Sequence, residues 1–273
     1  MGVPKLQNQM RRIVADFNAG RHEQARSLCG EALREAADDP ALNHLMAAVL
    51  FAKGEILQAR AHIQASLAIR ADNASAQLLA GRLERAARDF DQALFHLARA
   101  AELAPGAAVL IEQGRTLDEA GDRAHALEVW RQLTLADPFS AEAAARLGRM
   151  LFEDGMPADA APLLERAVKG SAPASAWFDL ALVRQDLHDH VGAAAAYRKA
   201  LEIRPDDAEA AVNLGVALQE AGDMDAAIEA YRTAYGQRAT TFGTIAMALT
   251  SAPHGKLWID RETLKGLLGK NKN

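Results

Sequence analysis

Apolar positions along this chain recur with helical spacing, and the helical pattern itself repeats. Ala25, Ala59, Ala93, Ala126, Ala160, Ala193 and Ala227 follow one another at intervals of 34, 34, 33, 34, 33 and 34 residues. Upstream of them a small residue holds one phase as Ala47, Gly81, Gly114, Gly148, Ala181 and Gly215, with Ile13 in the first unit. Four residues after each alanine stand Cys29, Ile63, Leu97, Trp130, Leu164, Tyr197 and Tyr231, and three further on Ala32, Ser66, Ala100, Leu133, Ala167, Ala200 and Ala234. Steps of four and three place these residues on one buried stripe of a helix. Five residues before the alanines, Gly20, Gly54, Gly121, Gly155 and Gly222 supply the left-handed backbone of a tight turn, with Arg88 and His188 as departures. Each unit is therefore expected to be a pair of antiparallel helices, its small residues permitting close approach and its large ones filling the space between pairs. Pro105, Pro138 and Pro205 punctuate the ends of their units.

These residues resemble the tetratricopeptide repeat, a helix-turn-helix unit of about 34 residues built on an aromatic, a Leu-Gly pair, an alanine, a second aromatic and a proline. The pattern is fullest in Trp177, Leu180, Ala181, Ala193, Tyr197, Ala200 and Pro205, and Leu214, Gly215, Gly222, Ala227, Tyr231 and Ala234 follow in register. The resemblance covers most of the chain and implies an all-α fold, a right-handed α-solenoid of about seven repeats spanning residues 1–239. The units divide at 6–39, 40–73, 74–106, 107–140, 141–173, 174–207 and 208–239, followed by a capping helix and short helical tail over 240–273. The first unit is a terminal cap, because Gln9, Arg12 and Asp16 wet the face that later units make apolar or small. At the other end Phe242, Ile245 and Leu249 form one side of an amphipathic helix, and Asp260 is placed to cap a final helix carrying Leu264, Leu267 and Leu268.

Composition narrows the function. There are 61 Ala but only 5% aromatic residues, which favours closely packed helices over sheet. A net charge of -5 gives no basic field for a polyphosphate backbone, so no nucleic acid is expected as partner. The single Cys29 leaves no disulfide framework and no CxxC metal or redox pair. No apolar run has the length of a signal peptide or membrane span, and Leu6 breaks an N-myristoylation signal after Gly2. A cytoplasmic protein without membrane insertion is expected, and 23 Arg against 8 Lys in an Ala-rich chain points to a GC-rich bacterial genome.

On each first helix a second stripe, at the second, fifth, ninth and twelfth places of the unit, turns well away from the core. The resemblance implies that this stripe lines a concave groove that holds partners. Its candidate residues are Met10, Phe17, His44, Phe51, Leu78, Arg82, Arg85, Ile111, Arg115, Arg149, Phe152, Phe178 and Leu182. Arg82, Arg115 and Arg149 share one phase, and such a positive ladder suits an acidic peptide or helix of a partner. The competing reading is local neutralisation, by Glu119 four residues after Arg115 and Glu153 four after Arg149. Phe17 is equally placed to belong to the core of the atypical first helix. The carboxylate clamp of chaperone-binding relatives and the asparagine ladder of sugar-transferase relatives are not assembled: the relevant phase reads Arg11, Leu45, Leu79, Glu112, Arg146, Asp179 and Asn213.

Catalytic and cofactor signatures are missing. No GxGxxG, P-loop, GxSxG or HExxH occurs, and no cofactor is expected. Asp186, His188, Asp189 and His190 crowd one turn, but a short local cluster rarely closes a metal shell. The expected function is a non-catalytic adaptor or scaffold that binds a partner segment in the groove. The alternative is an accessory or substrate-recruiting subunit for a protein-modifying enzyme such as a transferase. In that reading His254 and Trp258 form a docking tail, whereas in the plainer one Trp258 folds back as a lid. A metal-dependent enzyme ranks last.

Overall fold

The computed structural model describes residues 3–170, 172–250 and 261–269. His254 and Trp258 lie outside the described residues. The described residues are helical and turn segments with no strand, and the fold is an all-α helical-repeat solenoid. The chain divides into two compact units, residues 1–136 and 137–273.

The first unit holds α1 (Val3–Asn18), α2 (His22–Glu35), α3 (Pro40–Ala52), α4 (Ile56–Ile69), α5 (Ala74–Ala86), α6 (Phe90–Leu103), α7 (Ala107–Ala120) and α8 (Arg123–Ala136). Consecutive helices pack as antiparallel hairpins, and the second helix of each hairpin packs on the first helix of the next. Ile13, Cys29, Leu42, Leu50, Ile63, Leu83, Leu97, Trp130 and Leu133 are almost fully enclosed. The Cys29 thiol points at the Leu42 carbonyl at 3.4 Å, and burial pushes its pKa up to about 12, so it behaves as a small core residue with little thiolate character.

The second unit holds α9 (Ala141–Glu153), α10 (Pro157–Ala167), α11 (Ala174–Asp186), α12 (His190–Ile203), α13 (Ala208–Glu220), α14 (Met224–Gln237), α15 (Phe242–Thr250) and α16 (Arg261–Gly269). Leu164, Leu180, Tyr197 and Tyr231 lead its core. The two last helices cover the end of this unit separately: α15 packs on α13 and α16 on α14. Ile245 and Leu249 of α15 and Leu264 and Leu268 of α16 are buried. Two side chains fasten these helices through backbone carbonyls: Gln219 Nε2 donates to Ala248 O and Arg232 Nε to Leu267 O, each at 2.7 Å.

Local signals explain where the helices begin and turn. Asp39 accepts from the N–H groups of Ala41 and Leu42 at 2.9 Å, with Pro40 in the first turn where its missing N–H costs nothing. Asn73, Asp89, Ser140, Asp189, Asp207 and Asp223 cap their helices in the same manner. The turn inside most hairpins carries a positive φ, for example 77° at Gly121. Arg88 and His188 hold the same conformation at 62° and 61° without being glycine, so the register prevails over the steric preference of the residue. The three fully enclosed aromatics of second helices each find a polar partner on their own first helix. Trp130 Nε1 donates to Asp118 at 3.2 Å, and the Tyr197 and Tyr231 hydroxyls donate to Gln185 and Gln219 at 3.1 Å.

Candidate partner-binding site

In the first unit the second stripe converges on a cavity of about 470 Å³. Phe17 of α1, His44, Ala48 and Phe51 of α3, and Leu78 and Arg82 of α5 line it. Three successive first helices thus contribute, because residues spaced by three and four on α3 share one face and the small Ala48 leaves room between the rings. Phe17 stacks obliquely on His22 with ring centroids 5.5 Å apart. It also packs against the core cluster of the first hairpins, as Met10 does. Burial lowers the His44 pKa, which leaves the ring neutral at pH 7.

The arginines do not stand as an open ladder. Glu112 of α7, only 3% exposed, draws three guanidinium groups around one carboxylate. Arg82 Nε lies 3.0 Å from it, Arg85 Nη2 3.0 Å and Arg115 Nη1 3.2 Å. Arg85 extends its second amino group to Glu119 at 2.5 Å. The neutralisation expected within single helices is therefore carried largely across helices, and its centre is a residue that spacing alone did not single out. The phase gave no cue, since it is apolar at Leu45 and Leu79 but charged at Arg11, Arg146 and Asp179 as well as at Glu112. Arg82 differs from its neighbours. Its Nε approaches Glu112 without directing a hydrogen bond there, and neither Nη group has a polar partner among the described residues.

In the second unit Arg149 Nε pairs with Glu153 at 3.0 Å, as helical spacing anticipates, and Nη1 stands 3.7 Å from Asp179. Burial raises the Asp179 pKa, and the Arg149 charge opposes the shift only in part. A second cavity of about 370 Å³ opens here among Ala145, Arg146, Arg149, Ala176 and Asp179, with charges of both signs in its wall. Phe152, Phe178 and Leu182 are half-buried but do not line it. Phe178 instead meets the Tyr197 ring edge-on at 5.5 Å. Ile111 is half-buried on α7 and outside the first cavity.

Two buried amides were also not anticipated. Asn43 Nδ2 donates to Ala37 O at 2.7 Å and Gln77 Nε2 to Ala71 O at 2.8 Å, each satisfying a carbonyl just past the preceding helix. Their oxygens face His62 Nδ1 at 2.9 Å and His96 Nδ1 at 2.7 Å, which fixes the proton on Nδ1 of both rings. The turn at 186–190 is occupied by structural work: Asp189 accepts from Gly192 N at 2.9 Å, and the His188 and His190 rings pack edge-on. No group of three or more metal-ligating side chains is placed to hold an ion among the described residues. No helix among them is long and apolar enough to cross a membrane.

Comparison with known proteins agrees with this architecture. Two models described as tetratricopeptide repeat match, one over residues 17–83 and the other over 111–176 and 178–241. None of the curated proteins matches. Among solved structures, a MamA protein is 25% identical with a TM-score of 0.55, the match covering 66% of this chain and 98% of that one. PilF of Pseudomonas aeruginosa is 17% identical with a TM-score of 0.68, over 73% of this chain and 92% of its own. A chain of the Cut9–Hcn1 hetero-tetramer of the APC/C is 14% identical with a TM-score of 0.64, over 87% of this chain and 48% of that one. Sequence periodicity, helix pairing and these matches agree that the chain belongs to the tetratricopeptide repeat family, whose repeats support protein–protein interaction.

Proposed function

We propose that this protein is a non-catalytic adaptor that holds a segment of another protein along the second stripe of its first helices. The observation that carries the reading is the cavity walled by Phe17, His44, Phe51 and Leu78. A hollow with aromatic and aliphatic walls and few polar groups is the form in which proteins hold apolar anchors of a ligand. An extended or helical segment suits a surface built from parallel helices, its apolar side chains anchoring and its polar ones orienting it. The second stripe carries interaction because the first is consumed by the core.

Photo-crosslinking tests the proposal. A p-benzoylphenylalanine at Phe51 or Phe152 on the stripe is compared with one at the exposed Phe95 on α6. Crosslinks to the same partner from Phe51 and Phe152, and none from Phe95, are the expected result. A partner captured from Phe95 alone moves the interaction to the other face and sinks the groove reading.

A further inference from the structure

We infer that the cavity beside Arg82 is a two-part subsite for a protein segment with a bulky apolar side chain next to a carboxylate: the apolar group enters between Phe17, Phe51 and Leu78, and the carboxylate bridges the two Nη groups of Arg82. The inference rests on the groove reading above and deepens it by naming the chemistry of the occupant.

Three observations carry it. Among the described residues Arg82 is the only charged one lining the cavity, and none of the lining side chains among them is anionic. The Nη groups of Arg82 have no polar partner among the described residues, whereas Arg85 commits both of its own to Glu112 and Glu119. A guanidinium fork with both prongs uncommitted matches a carboxylate in two parallel hydrogen bonds. The Glu112 carboxylate stands 3.0 Å from the Nε end without accepting a hydrogen bond from it, and its attraction keeps the guanidinium beside the cavity. The remaining wall is apolar apart from His44 and Ser75, and burial keeps His44 neutral at pH 7, so it does not compete with Arg82 for the anion. A volume of about 470 Å³ falls within the range of small-ligand pockets and accepts a large side chain. The cavity of the second unit, with Arg146 and Arg149 beside Asp179 and Glu142, offers no such one-signed lip.

The test is selection of random twelve-residue peptides displayed on phage against the intact protein, followed by titration of synthetic copies. Selected peptides are expected to carry an aromatic or long aliphatic residue within two positions of Asp or Glu. Changing that acid to its amide is expected to weaken binding to the wild type roughly tenfold and to leave binding to Arg82→Gln nearly unchanged. Ala48→Phe, which fills the cavity, is expected to abolish binding, with Leu78→Gln replacing it should Ala48→Phe not give the wild-type circular dichroism spectrum. If the acid-to-amide change costs the same on the wild type and on Arg82→Gln, or if both cavity variants fold and bind as the wild type does, the subsite is wrong. Peptides that still crosslink at Phe51 in that case leave the groove reading standing. If the folded protein selects no peptide, or selects peptides that crosslink only at Phe95, both readings fall.

Discussion

Gly114 of α7 lies against the indole of Trp130 on α8 so closely that a Cβ built on it would stand 2.6 Å from Cε2 and Cζ2. The helix pays for this glycine in backbone entropy, by about 1 kcal/mol relative to alanine, and regains it in a fully buried tryptophan. Gly114→Ala is therefore expected to lower stability by about 1 to 3 kcal/mol despite its better helix propensity. Gly236→Ala, in α14 with nothing near the new methyl, is expected to raise stability by up to about 1 kcal/mol. Chemical denaturation of both variants decides the matter, and equal signs would contradict the packing argument.

The positive φ at the hairpin turns gives a second pair of outcomes. Gly121→Ala is expected to destabilise by about 1 to 2 kcal/mol, since an L side chain resists that conformation. Arg88→Gly removes the same strain but also loses the stacking of its guanidinium, 5.3 Å from the Phe90 ring centroid. A gain of less than about 1 kcal/mol is expected, read as a small upward shift of the thermal midpoint.

Removing the charge of Glu112 leaves three guanidinium groups around a neutral amide. Glu112→Gln is expected to cost about 1 to 3 kcal/mol, less than for a fully enclosed cluster because the side chain of Arg82 remains 38% exposed. Arg149→Gln, whose side chain is 55% exposed, is expected to cost less than about 1 kcal/mol. Urea titration ranks the two, and a costlier Arg149→Gln would overturn the assignment of Glu112 as the centre.

Stability should also depend on pH through His44, His62 and His96, whose pKa values burial lowers from the ordinary 6.5; for His96 the Glu84 charge opposes the shift in part. With a lower pKa in the folded state, the unfolded chain takes up protons first as pH falls. The full contribution is present above about pH 6.5 and is lost as pH drops through that value toward the folded pKa. Replacing His62 and His96 together by Gln is expected to flatten the decline of the thermal midpoint between pH 7 and pH 5. An unchanged slope would remove these rings from the account.

What was legible in the sequence was whatever repeats. The phase of the alanines fixes the helix pairs, and the glycine register marks the turn conformation, which Arg88 and His188, departures from it in the sequence, adopt all the same. Charge pairing was legible only where it stays within one helix, as for Arg149 and Glu153. Glu112 collects Arg82 and Arg85 from a different helix, and local spacing carries no information about such a contact. The buried amides escaped for a related reason. Asn43 and Gln77 hold one phase, but their His62 and His96 partners occur in two units only, so the pairing is not a property of the repeat. The stripe of thirteen candidates was legible as a periodic face, yet no periodicity distinguishes Phe51, which lines the cavity, from Phe178, which leans on Tyr197.

The close fit of small residue to large constrains the order in which this protein can change. Leu97, Trp130, Leu164 and Tyr231 each sit over a glycine whose Cβ would collide with them, at Gly81, Gly114, Gly148 and Gly215. Enlarging the glycine first passes through an overpacked intermediate, whereas trimming the large partner first passes through a hole. Because the collision of one added methyl costs about 1 to 3 kcal/mol and the hole left by trimming a buried leucine or aromatic to alanine about 2 to 5 kcal/mol, viable lineages are expected to enlarge the first helix before shrinking the second. Each hairpin is thus a ratchet, and ancestral reconstructions of this chain should traverse it in one direction.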